Sequence, residues 1–360
     1  MFKEKTVLIL GAGASRHYGY PTGEQLILKV CKLAEKWRKE IKSIMHPHEH
    51  SIPVSLNMHN DLFPLLNFPN NYCHDSQLVL PKQKILLEKL ETLASKLKSL
   101  DPINIDTFLR DHPQLQEIGK ILIASVLLDC EEHSIKIPHI DHQRKLEMTT
   151  DADKRDNWYR FLIHALASAG SKEELLKIAT DRKLIIITFN YDVSLEYHLY
   201  KALSEIEAIG EQTAKQFMKE LKIIHVYGEL RKIDWVANEP LKDYVVVDSN
   251  IELAMQCAKG IETIDRDKQQ KLADTEDIVT AKSAVANANP IVILGYGFDD
   301  ANNEIIGLNE IISKRSGRNV LYTNYNDSAR IERKIKLEER YKIKSTKNVY
   351  LALAEDFDLT

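Results

Sequence analysis

The chain has few cysteines and no pairing pattern among them. Cys31, Cys73, Cys130 and Cys257 lie far apart with no Cys-x-x-Cys pair, so neither a zinc ribbon nor a disulfide framework is indicated. Long apolar runs are missing too. ILIASVLL at 121–128 contains a serine and falls far short of the roughly 20 residues a membrane span needs. The apolar part of MFKEKTVLIL is too short and wrongly flanked for a secretion signal. No internal repeat and no Gly-x-x-x-x-Gly-Lys-Ser/Thr string occur. Neither sign of charge dominates: 49 Lys and Arg against 53 Asp and Glu leave −4, which argues against broad attraction to nucleic acid or an anionic membrane. These absences, with 44% hydrophobic residues, lead us to expect an ordinary cytoplasmic protein with no membrane or direct nucleic-acid partner and no metal.

What is present is a series of short, continuous apolar runs: TVLIL (6–10), KLIIITF (183–189), LKIIHVYG (221–228), DYVVVD (243–248), PIVILGY (290–296) and NVLYT (319–323). Runs without alternation are how strands buried on both faces of a parallel sheet read. Helical patterns lie between most of them, so the expected fold is α/β, a Rossmann-like doubly wound parallel sheet. The first two runs are widely separated, and the interval is helical. Leu26, Val30, Leu33, Trp37 and Ile41 form one apolar stripe, and Leu86, Leu90, Leu93, Leu97 and Leu100 form another. Further helices are expected over 114–130 and 156–169. A polar segment at 46–80 reads as a long loop or flap. The expected organisation is a sheet domain over 1–23 and 181–360, split after its first strand by a helical insertion over 24–180. Arg330 to Arg340 reads as a charged helix face in solvent.

The stretch LILGAGASRHYGYPTG at 8–23 places glycines directly after the first strand. A dinucleotide fingerprint needs a third glycine where Arg16 stands, and an acid ending a second strand where a helix follows instead. A glycine pair after a buried strand still lets backbone amides approach a diphosphate, with Ser15 and Arg16 as further donors. The plain alternative is a tight strand-to-helix turn, and Gly19, Pro21 and Gly23 have the same plain reading. Three more strings stand at strand ends: ITFNYDVSLE (187–196), IIHVYGEL (223–230) and ILGYGFDDANNEI (293–305). In an open parallel sheet the carboxyl ends of the strands are where ligands sit. Asn190 and Asp192 also suit a helix cap near Val193, and Asp299 with Asp300 suits a helix start. HPHEH at 46–50 carries alternating histidines, but its prolines favour a loop over a metal face. His133, His139 and His142 read as polar surface.

In this order, GAGAS…GYPTG, IDTFL (105–109), TFNYD, HVYG and LGYGFDD, the chain resembles the sirtuin-like family, specifically the prokaryotic sirtuin-like proteins of antiphage defence. The likeness covers roughly 5–23 and 181–325, and touches the insertion only at IDTFL. Three departures stand out. The two Cys-x-x-Cys pairs of the deacylating members are missing, and Thr22, Gly23 and Glu24 replace their Asp-Phe-Arg after the Gly-x-Pro turn. Tyr227 holds the place directly before Gly228 where the family usually has histidine, and His225 lies two residues back on the same strand face. The first two argue against deacylation.

The resemblance implies NAD as substrate and hydrolysis of its nicotinamide–ribose bond to nicotinamide and ADP-ribose. Gly11, Ala12, Gly13, Ala14 and Ser15 would take the diphosphate. Asn190 would orient the ribose or a water, Asp192 would lie near the carboxamide, and His225 would be the base. Thr188 and Gly228 would line the site, and Gly295, Gly297, Asp299 and Asn324 would face the adenosine end. The family further implies an NAD-depleting role in abortive infection, with activation by homo-oligomer assembly or by a partner such as a HerA-type ATPase or a short Argonaute. The competing reading is a module that binds NAD or ADP-ribose without cleaving it. ADP-ribosyl transfer to a macromolecule is a third, for which the composition offers no basic groove.

Overall fold

The computed structural model describes residues 2, 4–45, 76–102, 104–135, 157–241, 251–262, 275–313 and 317–357. Six strands form one all-parallel sheet: β1 (Thr6–Leu10), β2 (Leu184–Thr188), β3 (Lys222–His225), β4 (Ile291–Leu294), β5 (Val320–Thr323) and β6 (Lys342–Ser345). Their order is β3-β2-β1-β4-β5-β6. This is the α/β doubly wound arrangement expected from the apolar runs. All residues of β1, β2, β4 and β5 are buried, because helices cover both faces, and the strands are accordingly mostly apolar.

The chain moves outward from β1 through β2 to β3, then restarts on the other side with β4. The strand order therefore reverses between β1 and β4, and the crevice for ligands in such sheets opens at that point. The register aligns the strand ends there: Leu10 stands beside Thr188 and Leu294, and Thr188 beside His225.

Five of the six expected strands are present, and 243–248 lies outside the described residues. The sequence reading missed β6. The charged helix expected over 330–340 ends at Lys334, and residues Glu339–Tyr341 turn into this edge strand. Its lysines are paired, Lys342 with Glu339 at 3.0 Å and Lys344 with Asp327 at 3.0 Å. An edge strand carrying lysine between apolar residues has the composition of a solvated helix.

The helical stripes appear as helices Gly23–Met45 and Ser76–Leu100. Thr22 and Gln25 form a reciprocal cap at the start of the first, each side chain accepting from the other's backbone N–H, at 3.0 and 3.4 Å. The GYPTG turn therefore includes a helix start. The two helices run antiparallel, since Cys31 donates to the Ala94 carbonyl while Arg38 pairs with Glu91. Of the expected flap, 76–80 belongs to the second helix, and 46–75, including HPHEH and Cys73, lies outside the described residues. Helices Gln116–Ile135 and Tyr159–Ala167 stand where 114–130 and 156–169 predicted them. His133 is exposed, as expected of polar surface, and 139 and 142 lie outside the described residues.

The chain divides into two compact units, one of Met1–Tyr20, His133–Val245 and Asp267–Thr360, the other of Pro21–Glu132 and Val246–Arg266. The insertion is thus narrower than 24–180: helices Tyr159–Ala167 and Lys172–Thr180 belong to the sheet unit.

At the switch point the two strand exits share one space. A Cβ on Gly295 would lie 2.3 Å from the Ala14 nitrogen, and one on Gly11 would lie 2.6 Å from the Gly295 oxygen. Gly295 also has φ +58°, which disfavours any side chain. Gly297, two residues on, faces open space. Gly295→Ala is therefore expected to destabilise the chain by about 2 kcal/mol or more. Gly297→Ala is expected to change stability by no more than about 0.5 kcal/mol. Urea denaturation of both variants checks this contrast, and equal effects would refute it.

Candidate functional site

The glycine turn after β1 is held by its own neighbours. The Gly11 N–H donates to the Leu294 carbonyl and the Gly13 N–H to the Gly295 carbonyl, both at 3.0 Å, while the Ala14 N–H bonds back to Gly11 at 2.8 Å. The Ala14 carbonyl accepts from the Trp158 indole at 2.7 Å. On the far side the Gly295 N–H donates to Thr323 Oγ1 at 2.8 Å. Three of the amides expected at a diphosphate therefore already have protein acceptors. Ala12 and Gly13 are partly open to solvent, as is Gly228, and Gly297 is exposed.

Beyond this turn, Ser15 begins a buried polar network. Its hydroxyl donates to Asp192 Oδ1 at 3.1 Å and accepts from Asn190 Nδ2 at 2.9 Å. Asp192 Oδ1 also takes the Ser194 hydroxyl and, at 3.2 Å, the Ser194 N–H. Ser194 in turn meets the Tyr159 hydroxyl at 2.8 Å. Burial pushes the Asp192 carboxyl upward against the bonds from Ser194 and Ser15 that favour its charge. The sheet brings these residues together because β1 and β2 end side by side. Helix Ser194–Glu205 starts immediately afterwards with Val193 at its N-cap, and Asp192, one residue earlier, accepts from the helix's first N–H.

Asn190 is held at three points. Its N–H donates to Thr188 Oγ1 at 3.1 Å, its Nδ2 is committed to Ser15, and its carbonyl meets His225 Nδ1 at 2.9 Å. The remaining atom, Oδ1, is buried and has no partner. A buried acceptor left unpaired costs about 1–3 kcal/mol, so this one marks a place where a donor belongs.

His225 differs from expectation in its chemistry. Nε2 lies 2.7 Å from Glu196 Oε1, and the two side chains are only 8% and 9% exposed. Burial works against the charged ring, but the Glu196 carboxylate, Glu229 and the Asn190 carbonyl overcome it and raise the ring to about 9. That shift favours the charged ring, in which both N–H groups donate, Nδ1 to the Asn190 carbonyl and Nε2 to Glu196. In its charged form the ring has no lone pair to accept a proton, a different chemistry from the base expected at His225. Tyr227 is also engaged: it is buried, and its hydroxyl donates to Asn302 Oδ1.

Two residues assigned to the adenosine end have other duties. Asn324 is fully buried; its Oδ1 accepts from the Ser328 N–H at 3.0 Å, and its Nδ2 donates to Ser328 and Glu332. It fastens the turn after β5, a structural duty beside the ligand contact expected of it. Asp299 caps helix Asp300–Ile305 by accepting from Ala301 and Asn302, the plain alternative considered for it. Gly228 takes φ +73° and closes the turn after β3 with a bond from its N–H to the His225 carbonyl at 3.2 Å.

Sequence reasoning missed Glu196, Ser194 and Tyr159. Glu196 ends the very string that drew attention to Asn190, but an acid in the first turn of a helix ordinarily reads as a partner of the helix dipole. Nothing local signals that a strand-end histidine will meet it. A cleft of about 350 Å³ lies at the opposite, amino end of β1 and β2, between Lys5, Arg182 and Ser283. None of its lining residues has a buried polar atom without a partner. Among the described residues no group of three or more His, Cys, Asp or Glu side chains is placed to hold a metal ion. No helix among them is long and apolar enough to cross a membrane. Compared with family models, curated proteins and solved structures, the chain matches none.

The ion pair has a pH signature with a definite sign. Its folded value of about 9 lies above the ordinary 6.5. The stabilisation is therefore complete below about 6.5 and is lost as pH rises through about 9. Its size is on the order of 3 kcal/mol. Denaturation of wild type and Glu196→Gln from pH 6 to 10 is expected to give a stability difference that shrinks toward alkaline pH by that amount. A difference independent of pH would refute the assignment.

Proposed function

We propose that the carboxyl edge of this sheet binds NAD and cleaves its nicotinamide–ribose bond, with Asn190 as the residue that meets the reacting ribose or water. The observation supporting this is the buried, unpartnered Oδ1 on a residue whose side-chain Nδ2 and whose backbone N–H and carbonyl are all bonded. A ribose hydroxyl or an attacking water is a donor that removes the cost of leaving it unpaired. Nicotinamide departs as a neutral molecule from a cationic ring, so no general acid is required. The transition state is oxocarbenium-like. The carboxylates Asp192, Glu196 and Glu229, with His225 among them, make an acidic surrounding suited to positive charge. The partly open backbone at Ala12, Gly13, Gly228 and Gly297 is where the diphosphate and adenosine would lie. The resemblance to defence proteins adds NAD depletion during infection as the biological role, with activation by self-assembly or a partner ATPase.

One observation favours a second reading, a module that binds NAD or ADP-ribose without cleaving it. Neither His225 nor Tyr227 has a free basic atom, and the amides of Gly11, Gly13 and Ala14 are engaged. Nicotinamide release from NAD, measured beside NAD binding, separates the two. The hydrolase reading expects release by wild type and a loss of about a hundredfold or more in Asn190→Ala with binding retained. Saturable binding without release at any protein concentration, with or without a partner ATPase, would favour the module.

A further inference from the structure

Proton acceptance and positioning make different demands on a histidine, and the surroundings of His225 meet only the second. The Asn190 carbonyl can only accept, so Nδ1 carries a hydrogen. Glu196 as a carboxylate can only accept, so Nε2 carries one too. Each acceptor belongs to a different element, the Asn190 carbonyl to the exit of β2 and Glu196 to helix Ser194–Glu205. The ring is therefore a strut from the helix to the backbone of Asn190.

We propose that Glu196 and His225 form a positioning pair for Asn190, and that His225 is not the proton acceptor of this site; the proposal rests on the reading of Asn190 as the residue that meets the ligand. With the carbonyl fixed by His225, the N–H by Thr188 and the Nδ2 by Ser15, the direction of Oδ1 is set by three bonds from three elements. Loss of the strut frees the backbone from which that side chain projects. An oriented acceptor depends on such support, because small displacements at a reacting centre cost large factors in rate.

The charged groups facing the ring are Glu196 from the helix and Glu229 from the turn after β3. Asp192 acts on the pair through Glu196, and Lys232 and Asp277 act through Glu229, with Asp277 itself bonded to Lys222. Acids outnumber cations in this set, consistent with the ring's rise to about 9. The protonated ring is thus the working form, and function is lost as pH rises past it.

Selective 15N labelling of histidine and asparagine in the full chain tests this, with the His225 signals identified by their loss in His225→Gln. From pH 6 to 10 the ring is expected to hold both protons at pH 7.5 and lose one at about 9. The Asn190 side-chain amide signal should shift in step. In Glu196→Gln the midpoint should fall by about two pH units or more, roughly a hundredfold in proton affinity. A neutral ring at pH 7.5, a midpoint unmoved in Glu196→Gln, or an Asn190 signal indifferent to the titration would overturn the proposal. None of these readouts requires NAD.

The kinetic arm follows nicotinamide release. Between pH 6.5 and 8.5 it should be flat, with a descending limb that moves to lower pH in Glu196→Gln. That limb should lie in kcat, with KM changed by less than about threefold. An ascending limb near neutrality that disappears in His225→Gln would identify His225 as the proton acceptor and overturn the proposal. If the ring and Asn190 behave as expected but wild type releases no nicotinamide, the pair stands and the hydrolase reading fails.

Discussion

The carboxyl edge of the sheet depends on one close approach, in which the backbone of Gly295 lies against the turn formed by Gly11, Gly13 and Ala14. No side chain fits there, because a Cβ on any of the three glycines would come within 3.0 Å of backbone atoms of the opposing turn. The approach fixes where the chain can go after β1, and so places Ser15 against the exit of β2. From there the ties continue outward. Asn190 reaches His225 after β3, and the Gly295 N–H reaches Thr323 on β5. Five strand ends are registered by contacts that begin from three missing side chains. Close-packed backbone transmits position well because it has no rotamers to absorb a displacement.

Two histidines illustrate how surroundings decide chemistry in this unit. His17 is buried against Tyr18 and Tyr159, and burial lowers it to about 3, so it stays neutral. His225 is also buried, yet Glu196 holds it charged to about 9. The difference is one carboxylate at hydrogen-bond distance. A buried ion pair of this kind is weak evidence for stability, since desolvation offsets much of the attraction. Its value lies in direction: removing either partner leaves a buried charge uncompensated, so the ring is held to a single geometry. That geometry ends on the carbonyl of Asn190.

Elements governed by burial were legible in the sequence. β1, β2, β4 and β5 are buried throughout and mostly apolar because both faces are covered, and the long helices carry stripes that pack against one another. β6 was not legible, since an edge strand has one paired side and its lysines follow solvent, not the core. At the site, proximity was legible and role was not. The strings ending in Asn190, Asp192 and His225 do converge, because parallel strands deliver their exits to one edge. Whether each residue then faces a ligand or a neighbour depends on partners far away in the chain. Asn324 turned inward to Ser328 and Glu332, and His225 met a glutamate that reads in sequence as an ordinary first-turn acid.

A site whose histidine and tyrosine are both engaged fits N-glycosyl cleavage better than most hydrolytic reactions. Ester or peptide hydrolysis builds negative charge in the transition state and calls for an activated nucleophile and an oxyanion cradle. Departure of nicotinamide builds positive charge on the ribose, so water attacks a centre already electron-poor and needs orientation more than deprotonation. Under the proposed reaction, nearby carboxylates would lower the energy of that charge, and Asp192, Glu196 and Glu229 lie close to one another in this region. The proposed strut fits the same reaction: an unpaired imidazolium beside a developing cation would oppose it, whereas one neutralised by Glu196 would not. On the proposed reading, catalysis or its absence would turn on whether the acceptor at Asn190 Oδ1 meets a water or only a ribose hydroxyl. That choice lies with the occupant of the crevice, since the three bonds that aim Oδ1 are the same in either case.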